Sequence, residues 1–365
     1  MIKITSPLLP DLDRFSLALK EVWDAQQITN NGKQHQLLEA ALKKHLQAKN
    51  LVLFSNGTLA LLIALKALNL KGKVVTTPFT FAATAMSINW ANLEPVFCDI
   101  DYDTMCIDSS KIEAAVTKDT SAILPVHVYG NVCDVEKIDE ISRRHKLKVI
   151  YDAAHAFGIF HKGKAIAEFG DISMFSFHAT KIFNTIEGGC LTFADDSLRE
   201  RIDMLKNFGI KNEEEIVEIG INAKMNEIQA LIGLLSLELV DEERKKRKLV
   251  KDIYDDVLKD VEGLSIGNTA PDNTHYYPIR IKKEILGSTR DEVYEKLKKV
   301  DIISRKYFYP LLSNIQCYRD IPSARKENLK VANQVSEEIL CLPMHSAVGR
   351  DGAKRVCDVL ISLKC

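Results

Sequence analysis

Between residues 50 and 193 short apolar runs alternate with stretches of helical spacing, and this alternation restricts the fold more than any other feature. Leu51-Val52-Leu53-Phe54 stops at the polar turn Ser55-Asn56-Gly57-Thr58, and Leu59 to Leu68 then has helical spacing. Val74-Val75-Thr76-Thr77 closes at Pro78, residues 81–91 read as a helix, and Pro95-Val96-Phe97-Cys98-Asp99 is a third strand. Ala122 to Val126, a helix at 134–146, Lys148 to Asp152, Ile172 to Ser176 and Leu191-Thr192-Phe193 continue the pattern. Strands apolar on both sides need cover on both faces, so the expected class is α/β, with a mostly parallel sheet between helices. Helices are also expected at 12–27 and 34–48, before the first strand. A long helix is expected from about residue 223, leading into a more charged region with a strand at 275–281 and helices at 290–300 and 352–363. The expected division is a large domain, 1–240, and a smaller C-terminal α/β domain, 241–365.

A chain of 365 residues that is 46% apolar can bury a sizeable core. Its net charge of −1 and scattered basic residues do not suggest a nucleic-acid partner. The run Arg244-Lys245-Lys246-Arg247-Lys248 follows Asp241-Glu242-Glu243, and the expectation is a solvated, partly self-paired helix face. None of the eight cysteines forms a C-x-x-C pair, so no zinc or other metal site is expected. The start, Met1 to Pro7, does not read as a signal peptide. The apolar pattern at Ala230–Leu239 contains Ser236 and Glu238 and is too short for a bilayer. No membrane partner and a reducing, cytoplasmic setting are expected.

Two residues carry the chemistry. Asp152 ends an apolar strand, where ligands gather in open α/β sheets. Lys181 follows 29 residues later, in Phe175-Ser176-Phe177-His178-Ala179-Thr180-Lys181. A lysine amine can form a Schiff base with the aldehyde of pyridoxal 5′-phosphate (PLP), and a carboxylate can keep the ring nitrogen protonated, making the ring an electron sink. The turn at Ser55-Asn56-Gly57-Thr58 places a glycine and a helix N-terminus where a phosphate could sit, although Ser and Thr there also serve as caps. Ser176 could add a hydroxyl to the same phosphate. Phe81 opens a helix and could cover the cofactor ring or pack in the core. His178 could meet substrate or make a core contact.

Taken in order, these motifs resemble the DegT/DnrJ/EryC1/StrS family, the nucleotide-sugar aminotransferases of the aspartate-aminotransferase-like fold (PLP fold type I). The likeness also takes in Thr77-Pro78-Phe79-Thr80-Phe81, Pro125 to Gly130, Glu187-Gly188-Gly189, Thr29 to Gly32, Gly220 to Ala230 and Leu342-Pro343-Met344-His345. It implies Lys181 as the Schiff-base lysine and Asp152 as partner of the pyridine nitrogen. It also implies Ser176, Gly57 and Thr58 as phosphate ligands and Phe81 as the stacking ring. Asn222 is implied as a phosphate ligand reaching across from a second subunit, hence a homodimer with shared active sites. His155 stands where many members have Gln against the cofactor's phenolic oxygen, and Lys224 where many have Arg. The expected reaction is ping-pong transamination with L-glutamate, passing through pyridoxamine 5′-phosphate. The motifs at 152–158, 177–181 and 184–189 resemble the subgroup that converts dTDP-4-keto-6-deoxy-D-glucose to dTDP-4-amino-4,6-dideoxy-D-glucose for glycans such as lipopolysaccharide O-antigen. Amination at C3, and a non-catalytic regulator on the same fold, are the alternatives. His178, Lys224, Tyr307 and Tyr309 are the candidate substrate contacts, and an aromatic stretch at 307–309 packed within the small domain is the other reading.

Overall fold

In a computed structural model of the protein, described over residues 1–267, 270 and 273–364, the expected alternation builds one seven-stranded sheet. Its strands are β1 (Asn50–Phe54), β2 (Lys73–Thr76), β3 (Glu94–Phe97), β4 (Thr120–Leu124) and β5 (Lys148–Asp152). A small hairpin, β6 (Phe160–His161) and β7 (Lys164–Ala165), precedes β8 (Ile172–Ser176) and β9 (Gly189–Phe193). The order is β1-β9-β8-β5-β4-β2-β3, and all neighbours pair in parallel except β9, which is antiparallel to both β1 and β8. β8 and β9 are joined by a short return, which permits antiparallel pairing, whereas the parallel neighbours need longer crossovers: a helix carries the chain from β4 to β5 and the small hairpin from β5 to β8.

Successive side chains on a strand point to opposite faces, and both faces are dry. On β2, Val75 joins a cluster with Ile123, Ile138 and Val149, while Val74 joins another with Phe54, Leu61 and Ile88. Each such fully buried Val, Ile or Phe contributes about 1.5–3 kcal/mol by leaving water. The first cluster also takes in Leu311, Val335, Ile339 and Cys341, so residues on both sides of position 240 share one core.

Beyond residue 258 the chain forms a second sheet of β10 (Leu264–Ile266), β11 (Tyr277–Ile281) and β12 (Ile339–Leu342), antiparallel in that order. The long helix expected from residue 223 is two helices, Glu227–Leu237 and Val240–Leu258. The Leu239 N–H turns back to the Ser236 carbonyl at 3.0 Å, so the break is a tightened turn without proline or glycine. The first helix packs on Lys33–His45 and the second on Gly349–Ile361, and the bend redirects the chain between those partners. The basic run is less solvated than expected. Arg247 is buried against Glu243 (2.6 Å), and Arg244 donates to the Phe157 carbonyl (2.8 Å), while Lys246 and Lys248 pair with Glu242 and Asp252 outside.

Glu227 explains the Thr29 to Gly32 loop. Its buried carboxylate accepts the backbone N–H groups of Gln34 (2.7 Å) and His35 (3.2 Å), capping the helix Lys33–His45 from 193 residues away. A Cβ on Gly32 would lie 2.6 Å from the Glu227 carboxyl carbon, so a larger residue there would push this carboxylate off the helix N–H groups. Among the described residues no helix is long and apolar enough to cross a membrane.

Candidate active site

The carboxyl ends of β1, β2, β5 and β8 lie at one edge of the sheet, where a cavity of about 230 Å³ opens. Asp152 forms its floor. Oδ2 accepts from the Thr84 hydroxyl at 2.8 Å and Oδ1 from the Ala154 N–H at 3.1 Å. The Thr84 hydroxyl also lies 2.8 Å from that of Thr80, and since its proton is given to Asp152 it accepts there. Burial pushes the Asp152 carboxyl above its ordinary range, while Thr84, Ala154 and the Lys181 charge pull it back.

Lys181 sits on the loop after β8 and sends its amine into the same cavity. Burial lowers its pKa to about 8, and Asp152 opposes the shift. An amine near pH 8 is available as a base at modest energetic expense, unlike an ordinary surface lysine. Nζ donates to the Tyr276 hydroxyl at 3.1 Å.

The helix Gly57–Ala67 aims its N-terminus at the cavity from the end of β1. Asn56 caps it, accepting from the Leu59 N–H at 2.9 Å, which leaves Gly57 and Thr58 to offer their N–H groups outward. Ser176 closes this corner. A Cβ on Gly57 would come within 3.2 Å of Met174 Sδ and Ser176 Cβ, and a Cβ on Gly189 would lie 2.8 Å from Gly57 Cα. Two strands and a helix terminus therefore meet there through glycine backbone.

Phe81 stands just before the helix Ala82–Trp90, lines the cavity and is 64% exposed, so its ring face is open rather than packed in the core. His155 is buried, and its Nδ1 accepts the Tyr129 N–H at 3.1 Å. Burial drives it well below its ordinary pKa, so the neutral ring carries its proton on Nε2. Its ring runs nearly parallel to those of Tyr129 and Phe308, with centroids 6.2 and 5.9 Å away. His178 lies exposed at the mouth, with Nδ1 2.8 Å from the Thr180 hydroxyl and Nε2 3.5 Å from Glu187.

Tyr307 lines the cavity but Tyr309 does not. Tyr309 lies outside it, with its ring 4.6 Å from the Arg290 guanidinium. Asn222 is exposed and Lys224 packs its amine 5.2 Å over the Phe208 ring, and neither lines this chain's own cavity. The sequence reading missed Thr84, which is buried against Asp152, and the wall residue Tyr276. Thr84 lies in the first turn of the helix Ala82–Trp90, fully buried, with its hydroxyl on Asp152. Tyr276 carried no signal in the sequence.

A model of the DegT/DnrJ/EryC1/StrS aminotransferase family matches residues 12–361. The dTDP-4-amino-4,6-dideoxy-D-glucose transaminase of Shigella dysenteriae is 42% identical over 366 residues, covering 100% of this chain and 99% of that protein. The crystal structure of DesI in the presence of its TDP-sugar product superposes with a TM-score of 0.94 at 32% identity, covering 100% of this chain and 93% of that one. Bacillus subtilis NtdA with bound PMP cofactor gives a TM-score of 0.86 at 26% identity, covering 97% of this chain and 82% of that one. With its whole sheet and both glycine contacts in place, and Lys181 and Asp152 on one cavity, the chain belongs to the DegT/DnrJ/EryC1/StrS aminotransferase family.

Proposed function

We propose that the protein is a PLP-dependent transaminase that moves the amino group of L-glutamate to C4 of dTDP-4-keto-6-deoxy-D-glucose, giving dTDP-4-amino-4,6-dideoxy-D-glucose. The observation that carries the chemistry is the convergence of a buried carboxylate, a desolvated lysine and a glycine-built helix N-terminus on one cavity. Full-length identity to the Shigella dysenteriae transaminase supports the substrate.

The donor set fits PLP. The N–H groups of Gly57 and Thr58, with the Ser176 hydroxyl, suit its phosphate. Asp152 suits the protonated ring nitrogen, the His155 Nε2–H suits the phenolic oxygen, and the open face of Phe81 suits the ring. When bound, PLP supplies an electron sink that stabilises negative charge on the carbon bearing the nitrogen. Asp152 holds the proton on the ring nitrogen, because an opposite charge at contact raises that nitrogen's pKa by about 1–3 units. With the cofactor bound, Lys181 would serve as the base that removes the glutamate α-proton and as the acid that supplies a proton to the carbon receiving the amine on the keto sugar. Residues 241–365 are taken as the smaller lobe; Tyr307 and Phe308 from it line the cavity, which supports a sugar contact there.

Asn222 and Lys224 reach the cavity of a second copy in a homodimer. The exposure of Asn222, with exposed Phe208, Ile216 and Ile219 near it in the chain, the last of these 92% exposed, supports a face that a second chain covers. His178 at the mouth meets substrate. The product then feeds cell-surface glycan assembly in the cytoplasm. The test is a mass-spectrometric assay with L-glutamate and a panel of 4-keto and 3-keto nucleotide sugars. The dTDP-4-keto sugar should gain the amine. Amination of a 3-keto compound alone overturns the substrate.

A further inference from the structure

One polar group in the cavity has no part in the reading above, the hydroxyl of Tyr276. Tyr276 lies immediately before β11, and side chains alternate along an extended chain. Tyr277 points into the core of the three-stranded sheet, where its hydroxyl donates to Asp255 at 2.8 Å. Tyr276 points the other way, out of its own lobe and into the cavity.

The backbone around it is held from both directions. Upstream, Asn273 donates to the Tyr129 carbonyl (2.9 Å) and the His275 ring lies 3.1 Å from the Phe157 carbonyl. Downstream, Tyr277 pairs with Leu342 in the β11–β12 ladder. The Tyr276 ring is wedged among His155, Tyr129 and Tyr307, at centroid distances of 4.4, 5.8 and 6.2 Å. Its hydroxyl therefore has little freedom, and it meets Lys181 Nζ at 3.1 Å across 95 residues of sequence.

We propose that Tyr276 is a positioning residue for Lys181: its hydroxyl holds the lysine amine in place whenever that amine is not covalently engaged. The idea rests on the transaminase reading, in which Lys181 must be free, and correctly aimed, during each proton transfer. A phenol oxygen that accepts one N–H leaves the lone pair of a neutral amine directed elsewhere, toward the reacting carbon. Burial raises the Tyr276 phenol well above its ordinary value, so it stays un-ionised and cannot take the proton from the amine. The groups around the amine are Asp152 from β5, His155 and His275, both held neutral by burial, the phenols of Tyr129 and Tyr307, and His178 and Glu187 at the mouth. Of these, Asp152 favours the charged amine by its field, and the Tyr276 oxygen favours it by contact.

The test is Tyr276→Phe, which keeps the ring and removes the hydroxyl. In the cofactor-free protein, the pH dependence of Lys181 labelling by trinitrobenzenesulfonate, followed by peptide mass spectrometry, reads the amine directly. Loss of a hydrogen bond to a charged group should move the midpoint down by about one pH unit. In the holoenzyme, the glutamate half-reaction should slow about tenfold with KM unchanged, because a proton-transfer geometry is lost and a binding contact is not. Tyr276→Met, checked with the first variant by circular dichroism, must give the same midpoint shift. An unchanged midpoint in either folded variant overturns the proposal, as does a fall in affinity for glutamate with kcat intact. If the variants show the labelling shift but the wild-type holoenzyme has no glutamate half-reaction, the contact stands and the transaminase reading falls.

Discussion

Replacing Asp152 with Asn separates what this carboxylate does for chemistry from what it does to the fold. Asn keeps the shape and can still accept from the Ala154 N–H, while the Thr84 hydroxyl can turn to accept from the amide. The charge is lost. An opposite charge against the ring nitrogen is worth about 1–3 pKa units, or about 1.4–4 kcal/mol of preference for the protonated ring. The single-turnover rate with L-glutamate should fall between about tenfold and a thousandfold on that ground alone. Stability should move the opposite way. Burial raises the Asp152 pKa even with Thr84, Ala154 and Lys181 opposing it, so ionisation is less favourable in the folded chain than in the unfolded one. That destabilisation is present at pH 7 and disappears as the pH falls below the unfolded value of about 3.9. Cofactor-free Asp152→Asn should therefore resist urea better than wild type at neutral pH and equally at low pH. Stopped-flow absorbance and urea titrations measure the two effects. A half-reaction within threefold of wild type, or a neutral-pH loss of stability in the cofactor-free variant, would refute the reasoning.

Three further outcomes are expected. Gly189→Ala puts a methyl 2.8 Å from Gly57 Cα and 2.9 Å from the Phe175 carbonyl, so backbone must shift; overpacking should cost about 1–3 kcal/mol in urea and weaken PLP binding in a fluorescence titration. Cofactor-free Lys181→Met should be more stable than wild type at pH 7. The amine's pKa is depressed from 10.5 to about 8 on folding, which places the gain at up to about 3 kcal/mol below pH 8, vanishing above pH 10.5, as urea unfolding across pH would show. Glu227→Gln leaves one of the two helix N–H groups at Gln34 and His35 facing an amide donor, and should lose about 1–3 kcal/mol with fraying of Lys33–His45 seen by hydrogen exchange.

The large sheet was legible because each of its strands is a short apolar run ended by a polar or glycine-bearing turn. Asp152, Ser176 and Gly57 were legible for the same reason: each sits where such a run stops, at the sheet edge where ligands bind. The antiparallel direction of β9 was not, since a strand's residues do not record which way it runs. The break at Glu238-Leu239 was missed because neither residue disfavours helix, although Asn226 with Gln229 spells a capping box that marks the start at Glu227. Tyr276 was hidden inside His275-Tyr276-Tyr277, where two adjacent aromatics look alike and only the phase of the strand decides which one faces Lys181. Tyr309 shows the converse. Its neighbour Tyr307 lines the cavity, while Tyr309 packs beside Arg290, and local sequence does not distinguish them.

Borohydride reduction of the PLP-loaded protein followed by peptide mapping tests the central claim most directly. The account predicts one phosphopyridoxyl label, on Lys181. A label on a different lysine, or none, would contradict it.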